Sequence, residues 1–303
     1  KNKQMNISKI MTHPRSMQAM TGLSKIEFDD LLVTFEYSVM ENKRNSSTAL
    51  DRKFGGGRKG RLSTITEKLF YILFYLKAYP TFDVVGAWFD FDGTNACKNT
   101  HILLAALEKS LGRKIVLPER KASSIEEIFE RFPEIKDVFA DGMERPVQRP
   151  RNQKRQKKLY SGKKKNHATK SVILTDEHKR ILLLTKTKSA RRHDKRIADK
   201  NNLFEQIPES VAVWVDTGFQ GILKQHSNTL IPTKARKGQP LTLEQKQENR
   251  LISGIRVVVE HAIAGIKRYR AATEKYRNHT AYMEDKFTLV ASGLWNLHLQ
   301  HTV

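Results

Sequence analysis

The sequence predicts an α/β fold, a mixed five-stranded sheet with helices on both faces, preceded by an all-α unit. Three observations predict it. Residues 64–112 show only helical periodicity. From about residue 135 the pattern turns to strands. The order there is three strands, helix, strand, helix, strand, helix, an antiparallel meander followed by alternation.

The helical elements come first. LSKIEFDDLLVTFEYSV (23–39) is amphipathic and predicts a helix capped by Thr21 or Ser24. DRKFGGGRKGRLS (51–63) reads as a glycine-rich basic linker; it lacks the Lys-Ser/Thr ending of a phosphate loop. TITEKLFYILFYLKAYP predicts a helix ended by Pro80, TFDVVGAWFD a short second one, and NACKNTHILLAALEKSLG a third with Gly112 as its C-cap. Asp90 and Asp92 flank the intervening turn and are expected to cap it. Two short helices around a tight turn, behind a scaffold helix, have helix-turn-helix spacing. The expected divisions are therefore a helical segment with linker (1–63), a helix-turn-helix-like DNA-binding domain (64–134) and a sheet domain (135–303).

In the sheet domain, IKDVFADGMERPVQRP predicts a strand running into a loop. KRQKKLYSGKKKNHATK is expected to be an exposed basic loop, with Tyr160 free to stack on a base. HATKSVILTD and RILLLTKTKSA form a hairpin joined by DEHK, and ARRHDKRIADKNNLFEQI a helix with Asp194 near its start. VAVWVDTGF reads as a buried strand, GILKQHSN as a helix and TLIPTKA as a strand. Residues 241–272 predict one long helix, and FTLVASGLWNLHLQ closes the chain. Trp88, Trp214 and Trp295 are expected in the core. That element order is the order of a ribonuclease H-like domain.

Charge points to the partner. The 303 residues carry 55 Lys and Arg against 32 Asp and Glu, a formal charge of +23. Clustered cations release counterions from a phosphate backbone, so a polyanion is the expected partner. No uncharged apolar run approaches eighteen residues, which excludes a transmembrane helix. No signal peptide is visible, so a cytoplasmic, DNA-associated protein is expected, on the nucleoid if the source is bacterial. Cys97, a lone cysteine, has no internal disulfide partner, and no Cys/His spacing suggests zinc.

Three carboxylates stand out. Asp141 ends the first strand at FADG, Asp216 ends a later apolar strand at VWVDTG, and Glu260 lies on the helix GIRVVVEHAIAGIKRYR (254–270). Loops at strand ends make the crevice of α/β sheets. An aspartate there is costly to bury as an anion, and a metal ion offsets that cost. Oxygen ligands without His or Cys point to Mg²⁺ or Mn²⁺. Taken singly, each Asp-Gly is more often a turn or a cap. Glu260 is framed by Arg256 and Lys267, an ordinary helix pairing when taken alone.

The three stretches ADGMERPVQRP, VWVDTGFQG and RVVVEHAIAGIKRYR together resemble the DDE transposases of the IS5-like group and their eukaryotic Harbinger-type relatives. Arg256, Glu260 and Lys267 match that group's signature of Arg, three residues, Glu, six residues, Lys. Ser253 stands where the signature usually has Tyr, and Met143 where the first motif often has Thr. The resemblance spans roughly residues 20–297.

It implies that Asp141, Asp216 and Glu260 bind two Mg²⁺ ions, with Mn²⁺ as a substitute. Water then attacks a phosphodiester at the transposon end, and the freed 3′-hydroxyl attacks target DNA. Arg256, Lys267, Arg268 and Arg270 are expected to reach DNA phosphates, as are Lys163, Lys164 and Lys165. His167 is a candidate contact to the scissile strand, with a loop histidine of no role as the alternative. Asp194 is a candidate fourth acidic group, although an N-cap of its helix is the favoured reading. The partners implied are double-stranded DNA and further copies of the chain, a homodimer or larger assembly. The competing readings are a domesticated, DNA-binding derivative without catalysis and another nuclease of the ribonuclease H fold.

Overall fold

The computed structural model describes residues 5–46, 60–162, 164–278, 280 and 282–302. Most of the expected linker and Lys163 lie outside the described residues. The chain divides into two compact units. One comprises Lys1–Leu117, Lys267–Ala272 and Lys286–Val303; the other comprises Pro118–Ile266 and Thr273–Asp285.

The first unit is helical and begins with α1 (Ile7–Met11), α2 (Pro14–Thr21), α3 (Lys25–Ser46), α4 (Ile65–Ala78), α5 (Phe82–Phe89) and α6 (Gly93–Arg113). Local chemistry sets the boundaries of α4. Thr64 and Glu67 form a reciprocal capping box at its start. Tyr79 turns left-handed after its last residue, just before Pro80. Every residue from Leu69 to Leu76 is buried, so α4 is covered on all sides. Its rings meet those of the next helix, with Tyr71 edge-on to Phe89 at 4.9 Å.

The caps expected between α5 and α6 are present. Asp90 closes α5 in the left-handed conformation, and the Asp92 carboxylate accepts from the Asn95 N–H at 2.8 Å. The turn is tight because Gly86 has no side chain, and a Cβ there would overlap the Phe91 carbonyl. Two expectations need correction. Gly112 is not the C-cap of α6, which runs on to Arg113 and closes at Lys114. Trp88 is not core, being 42% exposed while its ring meets Phe74.

The second unit carries the sheet. In chain order it contains α7 (Ile125–Arg131), β1 (Asp137–Pro146), α8 (Gln153–Leu159), β2 (Tyr160–Ser161), β3 (Asn166–Asp176), β4 (Ile181–Leu184), β5 (Lys188–Ser189), α9 (Asp194–Asp199), β6 (Ala212–Val215), β7 (Thr229–Leu230), α10 (Leu243–Ile255) and α11 (Val257–Lys267). The last helix of the chain, α12 (Met283–Gln300), belongs to the helical unit from Lys286 onward.

Among the described residues the sheet has seven strands rather than five. Its order is β2-β3-β1-β6-β7, with β4 and β5 also paired to β3. It is mixed: β1 runs antiparallel to β3 and parallel to β6. One face is apolar. Val138 and Ala140 of β1, Val172 and Leu174 of β3, and Val213 and Val215 of β6 share a core with Ile125, Ile128, Ile197 and Phe219.

Several elements differ from the sequence reading. β1 does not end at Asp141, because β3 pairs with it as far as Pro146. The basic segment is not all loop, since α8 and β2 lie within it. The helix at Asp194 is only six residues long, and the GILKQHSN segment forms a 3₁₀ turn. The long helix of residues 241–272 is two helices separated at Arg256. Gly254 and the β-branched run Val257–Val259 are poor helix formers and flank the break.

The Tyr71 hydroxyl is buried and lies 2.9 Å from both the Ala96 carbonyl and the Thr100 hydroxyl. Tyr71→Phe is expected to lower stability by about 1–2 kcal/mol, read as a lower midpoint in urea at constant m-value.

Candidate active site

The site is built where β6 leaves β1. Their parallel register ends with Ala140 opposite Val215, so the next residues along the two strands are Asp141 and Asp216. Each carboxylate is held by the backbone that follows it. Asp141 accepts from the Gly142 N–H at 2.7 Å, and Asp216 caps a 3₁₀ turn by accepting from the Gly218 N–H at 2.8 Å.

A third carboxylate joins them. Asp194 is not the N-cap of α9; that position is His193, and Asp194 is the first helical residue. Its side chain lies against both glycines. A Cβ on Gly142 would overlap Asp194 Oδ1, and one on Gly218 would sit 3.4 Å from Asp194 Oδ2. Asp194 Oδ1 is 3.0 Å from Lys170 Nζ, an ion-pair contact rather than an aligned hydrogen bond. The same ammonium lies 3.1 Å from Glu144 Oε1. The sequence reading passed over Lys170 and Glu144, although a lysine midway along the apolar run HATKSVILTD is a visible signal.

Arg256, at the break between α10 and α11, sets its guanidinium 3.8 Å from Asp141 Oδ2. Its side chain is 11% exposed, and its buried Nε has no hydrogen-bond partner among the described residues. Glu260 lies one turn further on and is exposed. Among the described residues no three carboxylate, imidazole or thiol groups converge as a ready metal cage. The structure thus brings Asp141 and Asp216 together and adds Asp194.

The expected DNA contacts differ in exposure. Lys164 and Lys165 are exposed, and half-buried His167 meets the Tyr160 ring edge-on at 5.6 Å. Lys267 and Arg270 are exposed. Arg268 is half-buried and donates to the Gly22 carbonyl at 3.0 Å, which commits that nitrogen inside the helical unit. Lys163 lies outside the described residues.

Electrostatics distinguishes Asp141. Burial pushes its carboxyl above the usual aspartate value; the Gly142 N–H and Arg256 oppose that, and the Asp216 and Asp194 charges add to it. A partly buried anion beside two more, with hard oxygen donors only, suits a divalent cation. The donor chemistry of Asp141 and Asp216 therefore fits such an ion.

The arrangement is that of a cluster of carboxylates where β6 leaves β1 in a mixed α/β sheet. Residues 140–296, more than half the chain, match the family described as DDE superfamily endonuclease, and the chain belongs to that family. It is also 28% identical over 285 residues to a probable transposase for insertion sequence element IS702 from Microchaete diplosiphon. That match covers 94% of this chain and 95% of the relative. No solved structure matches. No helix among the described residues is long and apolar enough to cross a membrane.

A raised carboxyl pKa means that the folded state holds the proton more tightly than the unfolded chain. Stability attributable to Asp141 therefore falls as pH rises from about 4, the unfolded aspartate value, through the folded value. Asp141→Asn is expected to flatten this part of the profile and to raise the Tm at pH 7 by a few degrees. Mg²⁺ should raise the Tm of the wild type and not of the variant, as read in thermal melts across pH 5–8.

Proposed function

We propose that this chain is a DNA transposase of the IS5-like kind, a metal-dependent endonuclease and strand transferase. The observation that carries the reading is the placement of Asp141 beside Asp216, directly after the last parallel pairing of β1 with β6, in a member of the DDE endonuclease family. The similarity to an insertion-element transposase along nearly the whole length of both chains supports it.

On this reading Asp141 and Asp216 bind divalent cations, Mg²⁺ or Mn²⁺, and Glu260 is the third ligand. Two such ions, when bound, activate the attacking oxygen and stabilise the leaving oxygen of an in-line phosphoryl displacement. The Gly142 and Gly218 N–H groups orient the two aspartates before substrate arrives. Arg256 offsets the Asp141 charge and stands where a phosphate would approach. In the first displacement, water attacks a phosphodiester at the terminal inverted repeat and leaves a 3′-hydroxyl. In the second, that hydroxyl attacks target DNA. Neither displacement forms a covalent protein–DNA bond, so no Ser or Tyr nucleophile is required.

Binding of DNA is assigned to the exposed cations Lys164, Lys165, Lys267 and Arg270, with Lys163 in the same run, and to the pair α5–α6 as a helix-turn-helix. On α6 the exposed residues Thr94, Asn95 and Lys98 offer donors to a groove. Joining two transposon ends calls for a homodimer or larger assembly on DNA. A second reading is a DNA-binding derivative that no longer cuts; the presence of Asp141, Asp216 and Glu260 argues against it, and the exposed position of Glu260 is the observation on its side.

Purified protein with Mg²⁺ is expected to nick duplex DNA bearing the inverted repeats that flank its gene. Asp216→Asn should abolish nicking and leave the gel-shift affinity unchanged. Equal cleavage by that variant would remove Asp216 from the chemistry, and binding without cleavage by the wild type would select the second reading. Affinity should also fall steeply with salt, log K declining by about 0.9 per phosphate contact for each log unit.

A further inference from the structure

We propose that Lys170 is a positioning residue of this site: from the middle of β3 its buried ammonium holds Asp194 between Gly142 and Gly218, and this wedge sets the spacing of Asp141 and Asp216. The inference rests on the reading of that pair as a cation-dependent DNA-cutting site.

The chain of contacts begins with register. Glu144 of β1 and Lys170 of β3 face each other directly across the antiparallel ladder. Their side chains are 7% and 8% exposed, and the Ser161 hydroxyl donates to the second Glu144 oxygen at 3.3 Å. Glu144 thus fixes Lys170, and Lys170 reaches on to Asp194. A buried ion cluster adds little stability over an apolar packing of the same volume. What it contributes here is geometry.

Asp194 transmits that geometry to both strand ends. It lies against Gly142, the residue after Asp141, and near Gly218, two residues after Asp216. The same two glycines donate the N–H bonds that orient the Asp141 and Asp216 carboxylates. A shift of Asp194 would therefore open or crowd the space beside both donors. Any side chain at Gly142 would expel it.

The alternative role for Lys170 is a plain counter-charge, and the two roles predict opposite signs. Removing a nearby positive charge tightens cation binding by simple electrostatics. Removing a positioning group loosens it. The experiment titrates Mn²⁺ into the DNA-free full chain, read by electron paramagnetic resonance, with circular dichroism melts to confirm folding. The variants are Lys170→Met, which removes the ammonium alone and so gives the two roles opposite signs, and Lys170→Met with Glu144→Gln, which leaves the net charge unchanged and avoids stranding a second buried carboxylate, so that a plain counter-charge predicts no change.

Mn²⁺ affinity is expected to weaken about tenfold to a hundredfold in both, as for other residues that orient ligands. The Mn²⁺ concentration for half-maximal nicking should rise in step, while DNA affinity stays constant. Unchanged or tighter Mn²⁺ binding in the folded variants would overturn the inference while leaving the transposase reading in place. A wild type that neither binds Mn²⁺ nor nicks would overturn both.

Discussion

The parallel pairing of β1 with β6 is the constraint on which the site depends. Neighbouring strands lie about 4.8 Å apart, so two residues that follow the last paired positions start out as close neighbours. Parallel strands also end on the same side, which an antiparallel pair cannot do. Ala140 and Val215 are that last pair, and Asp141 and Asp216 follow. β1 is held on its other flank by β3 through Pro146, so it does not fray where β6 departs. One strand thereby serves both as a fixed wall and as the source of a carboxylate.

Bringing like charges together in a partly buried place has a cost, and the surroundings show how it is distributed. Asp141 carries most of it, since burial and two neighbouring carboxylates all disfavour its charged form. Arg256 offsets part of that charge from the break between α10 and α11. Had residues 241–272 formed one continuous helix, residue 256 would lie within its regular run rather than at a joint. Asp194 is compensated separately by Lys170. The pocket is thus arranged so that Asp141 and Asp216, and not Asp194, are the carboxylates with least local neutralisation.

How much of this could be read in advance depends on range. The cap at Asp92, the hairpin of β3 and β4, and the strand-end placement of Asp216 depend on a few adjacent residues, and the sequence displayed them. The reach of β1 beyond Asp141 did not show, because it depends on nine pairings with a strand some thirty residues away. Asp194 looked like a helix cap because Asp commonly takes that role; only the absence of side chains at Gly142 and Gly218 draws it toward the strand ends. Lys170 and Glu144 are ordinary charged residues until register sets them face to face. The single long helix failed at Arg256, where tertiary contact with Asp141 accompanies weak local propensity.

One electrostatic contradiction remains, and it bears on how such a protein would work. The chain as a whole has a charge of +23, which draws in a phosphate backbone. Its acidic cluster does the reverse: among the described residues Asp141, Glu144, Asp194 and Asp216 gather against the cations Lys170 and Arg256. A phosphodiester delivered by the basic surface would meet net negative charge at the point of reaction. On the proposed function divalent cations would remove the conflict, because the groups that would bind them are the ones that would repel the substrate. On the proposed function, metal and DNA then bind with mutual support, since each neutralises charge that disfavours the other.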